Sequence, residues 1–243
     1  MPIKIDYLGH SGFFVETESI MFLFDYYYGD LSFLKEKSDD KPLFVFSSHS
    51  HGDHFNPDIF SIVKTHQNTK YLLSFDIKDK PSVDIKDKPS VQLNRDIQYL
   101  DADKTYEIEE LGIVKTLQST DEGVAFLIKT PSSTLFYAGD LHWWDWPGED
   151  SKWLAEQELV FKREIGKLTD ETINIAFAVL DSRLEENYAK GLLHILSELH
   201  PRYILPMHFW DDRTVVERFK ELSDLTKTDT IILDTTKENH WEL

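Results

Sequence analysis

Cysteine is absent from the 243 residues of this chain. Its absence excludes disulfide bonds, thiolate zinc sites and cysteine nucleophiles. Any bound metal must therefore be held by histidine, aspartate or glutamate. That ligand set is typical of hydrolytic metal sites rather than of structural zinc sites.

Long apolar runs are also missing. No stretch of about 18 apolar residues, the length that a membrane-spanning helix requires, occurs in the sequence. Residues 1–6 (MPIKID) lack the apolar core of a secretion signal. We therefore expect a cytoplasmic protein that has no membrane partner.

Clusters of basic residues are the third absence. The formal net charge is −18, and no group of lysine and arginine residues offsets it. Because such a surface repels nucleic-acid phosphates, we expect no nucleic-acid partner. A small anionic substrate is still compatible, since bound cations would reverse the local field. We expect a small-molecule substrate, and the sequence leaves open whether the chain forms a homo-oligomer.

The length and the 41% of hydrophobic residues suffice for one sizeable core, so a single domain over residues 1–243 is the simplest organisation. Apolar patterning predicts strands at residues 3–8, 13–16, 20–24, 43–47, 71–74, 105–108, 113–117, 124–129, 134–137, 173–180, 203–205 and 230–233. Helical spacing predicts helices at residues 57–66, with Asn56 as N-cap, and at 151–168, 188–199 and 215–225. Strand-rich blocks with helices in both halves predict an α+β (α/β) fold, a four-layer α/β/β/α sandwich.

An octapeptide is duplicated in the first half of the chain. Residues 76–83 read DIKDKPSV, and residues 84–91 repeat them letter for letter. Two copies are too few for a solenoid. We interpret residues 76–91 as a tandem-repeat surface loop, where an insertion costs little. A flap that covers the substrate is the alternative.

The densest group of metal-ligating residues is the loop HSHGDH at residues 49–54, which directly follows an apolar run. His49 and His51 are two residues apart and can point to the same side of an extended backbone. Asp53 and His54 follow a turn that the glycine permits. The loop can therefore supply ligands to two adjacent cations. A solvated histidine-rich loop is the alternative, but the ligand types, the spacing and the position after a strand favour metal.

Three further candidate ligands each follow the end of a predicted strand, where catalytic loops are commonly found. They are His10, Asp140 and His208. A carboxylate such as that of Asp140 can bridge two cations, while imidazoles fill the remaining positions.

Together these residues resemble the metallo-β-lactamase superfamily. The hallmark of that family is an HxHxDH loop after a strand, which residues 49–54 match. A Gly-Asp bridging aspartate and a C-terminal histidine follow, matched by Asp140 and His208. The opening YLGHSGF at residues 7–13 is similar to the ascorbate-6-phosphate-lactonase-like hydrolases of the superfamily. The resemblance implies the sandwich fold and a supporting hydrogen bond that Asp25 accepts from the loop. It also implies metal ligands at His49, His51, Asp53, His54, Asp140 and His208.

The chain departs from the family at one ligand. The family's separate histidine is expected near residues 117–120, but no histidine occurs between His66 and His142. Three outcomes are open. Another side chain replaces the missing imidazole, the candidates being Thr120, Asp121 and His142. A single metal is held by Asp53, His54, Asp140 and His208. Or metal binds without turnover.

The ligand types predict a divalent metal, with zinc as the first choice, manganese or iron as alternatives, and one or two ions. A bound cation lowers the pKa of its water to about 7 and polarises a carbonyl or phosphoryl oxygen. Asp53 is the predicted catalytic residue, because it is placed to orient the hydroxide and to take up a proton. The predicted reaction is hydrolysis of an ester, lactone, amide or phosphoester.

Four residues are predicted to bind the substrate, each with a structural alternative: His10, His142, Trp143 and Arg183. His10 is otherwise a turn residue or a support for a ligand. His142 otherwise faces away from the site, and Trp143 otherwise packs in the core with its neighbouring tryptophans. Arg183 can bind a carboxylate or phosphate, and a salt bridge to Asp181 or Glu185 is its alternative.

The leading hypothesis is therefore a metal-dependent hydrolase that acts on a small molecule. A non-catalytic metal-binding or scaffold protein is the second hypothesis, motivated by the missing histidine. A nuclease is the third, and the net charge of −18 without a basic arm speaks against it.

Overall fold

The computed structural model describes residues 2–78, 96–222 and 228–243. It divides into two compact units, one of Met1–Asp101 with Asn239–Leu243 and one of Ala102–Glu238. The single domain expected over residues 1–243 stays a prediction. Residues 79–91 of the duplicated octapeptide lie outside the described residues, so the loop expected there stays a prediction as well.

The first unit is built on a seven-stranded mixed sheet in the order β14-β1-β2-β3-β4-β5-β6. Its strands are β1 (Lys4–Gly9), β2 (Gly12–Glu16), β3 (Met21–Phe24), β4 (Leu43–Ser47), β5 (Thr69–Ser74), β6 (Asp96–Leu100) and β14 (His240–Glu242). Strand β1 pairs antiparallel with both β14 and β2, and β2 pairs antiparallel with β3. The pairs from β3 to β6 are parallel.

This topology places several polar loops at one edge of the first sheet. Strands β1, β3, β4 and β5 run in the same direction, so their carboxyl ends meet at the same edge. His10, Asp25, residues 48–54 and Asp76 follow those ends. Every residue of β3 and β4 is buried, which accounts for their continuous apolar sequences.

The helix predicted at residues 57–66 is shorter than expected. Helix α1 covers only Ile59–Ile62, and a 3₁₀ turn at Val63–Thr65 follows it. The Oδ1 atom of Asn56 accepts a hydrogen bond from the backbone N–H of Asp58, at 2.9 Å. Asn56 therefore closes a turn before the helix and is not its N-cap, because local side-chain bonds of asparagine compete with helix entry.

The second unit is built on a seven-stranded mixed sheet in the order β13-β12-β11-β10-β9-β8-β7. Its strands are β7 (Thr105–Ile108), β8 (Gly112–Gln118), β9 (Val124–Lys129), β10 (Thr134–Tyr137), β11 (Ile175–Val179), β12 (Tyr203–Met207) and β13 (Ile231–Ile232). Strands β7 to β10 form an antiparallel meander, and β10 to β13 are parallel.

Three helices belong to this unit: α2 (Ser151–Gly166), α3 (Lys190–Leu199) and α4 (Val215–Lys220). Asp150 caps α2 by accepting hydrogen bonds from the backbone N–H groups of Lys152 and Trp153. The last helix ends five residues before the predicted limit at residue 225, and residues 223–227 are not described. The carboxyl ends of β10, β11 and β12 share one edge, where Asp140, Asp181 and His208 follow.

The two mixed sheets with their helices confirm the predicted α+β class. Strands β6 and β14 were not predicted, because their short, polar sequences DIQYL and HWE carry little periodic signal. No helix in the described part of the chain has the length and apolar character needed to cross a bilayer.

Candidate metal centre

The loop after β4 is held in place by Asp25, which follows the neighbouring strand β3. The Asp25 carboxylate is fully buried and accepts hydrogen bonds from the Ser48 backbone N–H at 2.7 Å and from the Ser48 hydroxyl at 2.6 Å. Its Oδ2 also lies 2.7 Å from Nδ1 of His54. This arrangement confirms the expected support of the loop by Asp25. It makes Nδ1 of His54 the protonated nitrogen and Nε2 the lone-pair nitrogen that suits a metal.

His49 and His51 bring two ring nitrogens together in the same loop. Nε2 of His49 lies 3.0 Å from Nδ1 of His51. The Ser48 hydroxyl gives its proton to Asp25 and so accepts from Nδ1 of His49 at 3.0 Å. Nε2 of His49 is then the lone-pair nitrogen, as in His54. Two converging imidazoles of this kind are a suitable partial ligand set for one cation.

A second convergence in the first unit joins His10, Asp53 and His54. Oδ2 of Asp53 lies 3.2 Å from Nε2 of His10 and 4.0 Å from Nε2 of His54. Burial would raise the pKa of the Asp53 carboxyl, but the hydrogen bond from His10 and the nearby His54 outweigh burial and hold that pKa well below its usual range. Asp53 is therefore ionised at neutral pH and has the charge that a metal ligand needs.

In the second unit, His208 lies between two carboxylates. Its Nδ1 is 3.0 Å from Oδ2 of Asp181, and its Nε2 is 3.4 Å from Oδ2 of Asp140. Burial lowers the pKa of His208, but Asp140 and Asp181 outweigh burial and raise it to about 10. The pKa of Asp181 falls to about 2 despite burial, because His208 and Arg183 donate hydrogen bonds to it. Asp181 thus fixes the ring of His208 as Asp25 fixes that of His54.

These donor sets fit a divalent metal. Imidazoles whose Nδ1 is bound to a buried carboxylate or hydroxyl can present Nε2 as a ligand, which is the usual arrangement around protein-bound zinc. In His208 a metal would have to displace the proton that Asp140 and Asp181 stabilise. Ionised carboxylates supply the remaining ligands. The structure thus brings His49, His51, Asp53 and His54 together within the first unit, and Asp140 and His208 together within the second.

His142 does not lie at an accessible surface. Its ring is fully buried between Trp144, at 5.0 Å between ring centroids, and Phe161, at 6.1 Å. Burial lowers its pKa to about 4, so the ring is neutral. A Cβ at Gly191 would stand only 2.4 Å from the ring. The burial of the ring favours the alternative that His142 faces away from the surface, and a contact of His142 with substrate stays a prediction.

Trp143 packs on helices α2 and α3, beside Phe161 and His194, with Nζ of Lys162 4.4 Å from its ring centroid. Trp144, by contrast, faces His208 at 5.8 Å between centroids and stacks on Trp146. The role of a pocket wall therefore suits Trp144 and Trp146 better than Trp143.

Arg183 forms a salt bridge with Asp181, which was the alternative to its predicted role in substrate binding. Its Nε and Nη2 both bind the Asp181 carboxylate, at 2.9 and 2.5 Å. The guanidinium lies against the rings of Trp146 and Trp210, 5.4 and 5.1 Å from their centroids. Its charge is thus already balanced, and binding of a substrate anion by Arg183 stays a prediction.

Two residues that support the site, Asp181 and Asp76, were not predicted from the sequence. Asp181 was noted only as a partner for Arg183, although it follows the buried strand β11 as Asp140 follows β10. The position after an apolar run was the signal that could have identified its role. Asp76, the first residue of the duplicated octapeptide, accepts a hydrogen bond from the backbone N–H of Ser50 at 2.8 Å. No local pattern indicates that contact.

A family model described as the beta-lactamase superfamily domain matches residues 4–145. The chain belongs to this superfamily. The match includes the loop at residues 49–54 and Asp140, but not His208. No curated protein sequence matches the chain.

Three solved structures have a similar fold. Igni18, a novel metallo hydrolase from the hyperthermophilic archaeon Ignicoccus hospitalis KIN4/I, is 17% identical with a TM-score of 0.64, over 100% of this chain and 98% of that one. The metallo-beta-lactamase fold protein YhfI from Bacillus subtilis is 15% identical with a TM-score of 0.61, over the full length of both chains. CmlA, a diiron beta-hydroxylase from Streptomyces venezuelae, is 13% identical with a TM-score of 0.56, over 99% of this chain and 54% of that one. These likenesses confirm the metallo-β-lactamase fold.

Proposed function

We propose that this superfamily member is a metal-dependent hydrolase of small molecules, which cleaves an ester, lactone, amide or phosphoester bond. The observation that carries the proposal is the pairing of His54 with the buried Asp25, beside the ionised Asp53. A buried imidazole oriented by a carboxylate and placed next to a second carboxylate is the arrangement of a metal ligand, not of an ordinary core histidine. His208 with Asp181 and Asp140 repeats that arrangement in the second unit.

The side chains of the first unit have different roles in the proposed reaction. A divalent cation held by these residues would supply a water whose pKa is lowered to about 7 and would polarise the oxygen of the scissile group. Asp53 accepts a proton and orients the attacking water. His10 holds the Asp53 carboxylate through the contact of its Nε2 with Oδ2, at 3.2 Å. Asp25 keeps His54 in one tautomer.

We propose zinc as the metal, with manganese or iron as the alternatives and one or two ions bound. Histidine and carboxylate donors accept all three metals. The opening YLGHSGF supports assignment to the lactonase-like branch. The proposal keeps the small-molecule substrate and the cytoplasmic location expected from the sequence.

Metal content and turnover test the proposal together. The purified protein is stripped with a chelator and reloaded separately with zinc, manganese or iron(II). It is then assayed on small lactones, carboxylic esters, amides and phosphodiesters. We expect turnover that is lost on chelation and restored by one metal. A metal-loaded protein that hydrolyses none of these compounds would instead support the non-catalytic metal-binding reading, which the missing histidine near residues 117–120 favours.

A further inference from the structure

The hydroxyl of Thr120 is bonded to the backbone of the loop that carries Asp140. Thr120 lies in the turn after β8, and its Oγ1 donates to the carbonyl oxygen of His142 at 2.6 Å. The same oxygen accepts from the backbone N–H of His142 at 2.9 Å and lies 3.3 Å from the carbonyl oxygen of Asp140. One side chain thus bonds both backbone polar groups of His142 and contacts the carbonyl oxygen of Asp140.

A second side chain holds the same loop from another direction. Nε1 of Trp144 donates to the carbonyl oxygen of Asp140 at 3.1 Å. The backbone N–H of Leu141 bonds the carbonyl of Ala138 at 2.9 Å. Because the backbone of the loop is fixed at these points, the Asp140 side chain has few possible orientations. Its Oδ2 points to Nε2 of His208.

Thr120 occupies the segment in which the resemblance leads one to expect a histidine ligand. We propose that Thr120 is a positioning residue: its hydroxyl aims the Asp140 carboxylate by holding the backbone of residues 140–142, and metal affinity depends on it. This proposal rests on the proposed function, because that function includes the bound metal. The Thr120 hydroxyl donates its proton to the His142 carbonyl and accepts a hydrogen bond from the His142 N–H. The role of the side chain is therefore to hold the loop.

The chain offers a matched control four residues earlier. Thr116 lies in β8 and is buried, and its hydroxyl accepts from the backbone N–H of Lys104 at 3.0 Å and contacts the carbonyl of Lys104 at 3.2 Å. Thr116→Val therefore removes the same two kinds of hydrogen bond as Thr120→Val, but from the backbone of Lys104 instead of the Asp140 loop.

The experiment compares Thr120→Val, Thr120→Ser and Thr116→Val with the parent protein. The first readout is amide hydrogen exchange of residues 140–144 in the metal-free protein, and the second is Zn²⁺ affinity measured by competition with a chromophoric chelator. We expect Thr120→Val to speed exchange at these amides and to weaken Zn²⁺ binding by about ten- to a hundredfold, the usual effect of losing a group that orients a ligand. Thr120→Ser should recover most of the affinity, and Thr116→Val should change neither readout.

Parental Zn²⁺ affinity in Thr120→Val would overturn the proposal, as would an equal loss in Thr116→Val, since that loss would reflect general stability. Faster exchange in Thr120→Val without weaker Zn²⁺ binding would also overturn it. Failure of the proposed function has a different signature. A Zn²⁺-loaded parent without hydrolytic turnover overturns the hydrolase, while the affinity series still decides the role of Thr120.

Discussion

His54 and the buried Asp25 form a hydrogen-bonded pair, with Nδ1 of the imidazole 2.7 Å from Oδ2 of the carboxylate. Both residues are fully enclosed by protein, and they are 29 residues apart in the chain. They meet because they follow the adjacent parallel strands β3 and β4, whose register pairs Phe24 with Phe46. The sheet, rather than the loop itself, therefore decides which nitrogen of His54 faces a metal.

Asp25→Asn should weaken metal binding. The amide keeps the shape of the carboxylate but cannot supply two accepting oxygens to Ser48 and His54, so the ring loses its fixed tautomer. We expect Zn²⁺ affinity to fall by about ten- to a hundredfold. Asp76→Asn is the matched control, because Asp76 accepts a hydrogen bond from the backbone of the same loop, at Ser50 N–H, and not from His54. An equal loss in both variants would show that the effect is loop stability and not orientation of His54.

His54→Ala should remove more metal than His49→Ala. Asp25 orients the ring of His54 through Nδ1, whereas the resemblance predicts a histidine near residues 117–120 for the set that includes His49, and the sequence has none there. The measurement is metal per chain by elemental analysis after equal dialysis. Equal losses, or a greater loss in His49→Ala, would contradict the predicted single metal held by Asp53, His54, Asp140 and His208.

Asp53→Asn should keep much of the bound metal yet lose most turnover. The amide preserves the shape of the side chain and a contact for His10, but it cannot take up a proton. We expect a rate loss of at least about a hundredfold if general-base help is the main contribution of Asp53. The measurements are the metal content of the variant and its rate of hydrolysis of a substrate that the parent protein cleaves. Full activity in Asp53→Asn would refute the assigned role.

Deletion of one octapeptide should leave stability almost unchanged. Because the copies are identical, removing residues 76–83 or 84–91 yields the same chain and retains an aspartate and isoleucine at positions 76 and 77. A charged, proline-bearing loop contributes little, so the melting temperature should shift by less than about 2 °C. Ile77→Ala is the contrasting variant, since Ile77 is fully buried and its truncation should cost about 2–5 kcal/mol. A large drop on deletion would show that the repeat packs into the body, and unchanged stability with lost activity would identify a substrate flap.

The sequence identified the ligand-bearing loops because their signals are local. Apolar runs predict strands β4, β10, β11 and β12, and the predicted ligands His49, Asp140 and His208 follow three of these strands within three residues. The HSHGDH loop needs only six consecutive residues to be recognised. Fold class and superfamily follow from these patterns.

Tertiary structure determines which residues form hydrogen bonds with the predicted metal ligands and their loops. Asp181 forms a hydrogen bond with His208, and Asp76 accepts one from Ser50, because the neighbouring strands end at one edge of each sheet. His142 and Trp143 are adjacent in sequence, yet one ring is enclosed beside Gly191 and the other packs on Lys162. Strand β14 exists only because β1 pairs with it, from the opposite end of the chain.

By itself, the sequence determined where apolar runs end and which chemical groups follow them, since periodicity and residue type act over a few neighbouring positions. It did not determine which carboxylate orients which imidazole, nor that Thr120 binds the loop of Asp140. Those choices depend on the register of strands and on turns that are distant in the chain, and burial then makes each resulting hydrogen bond obligatory.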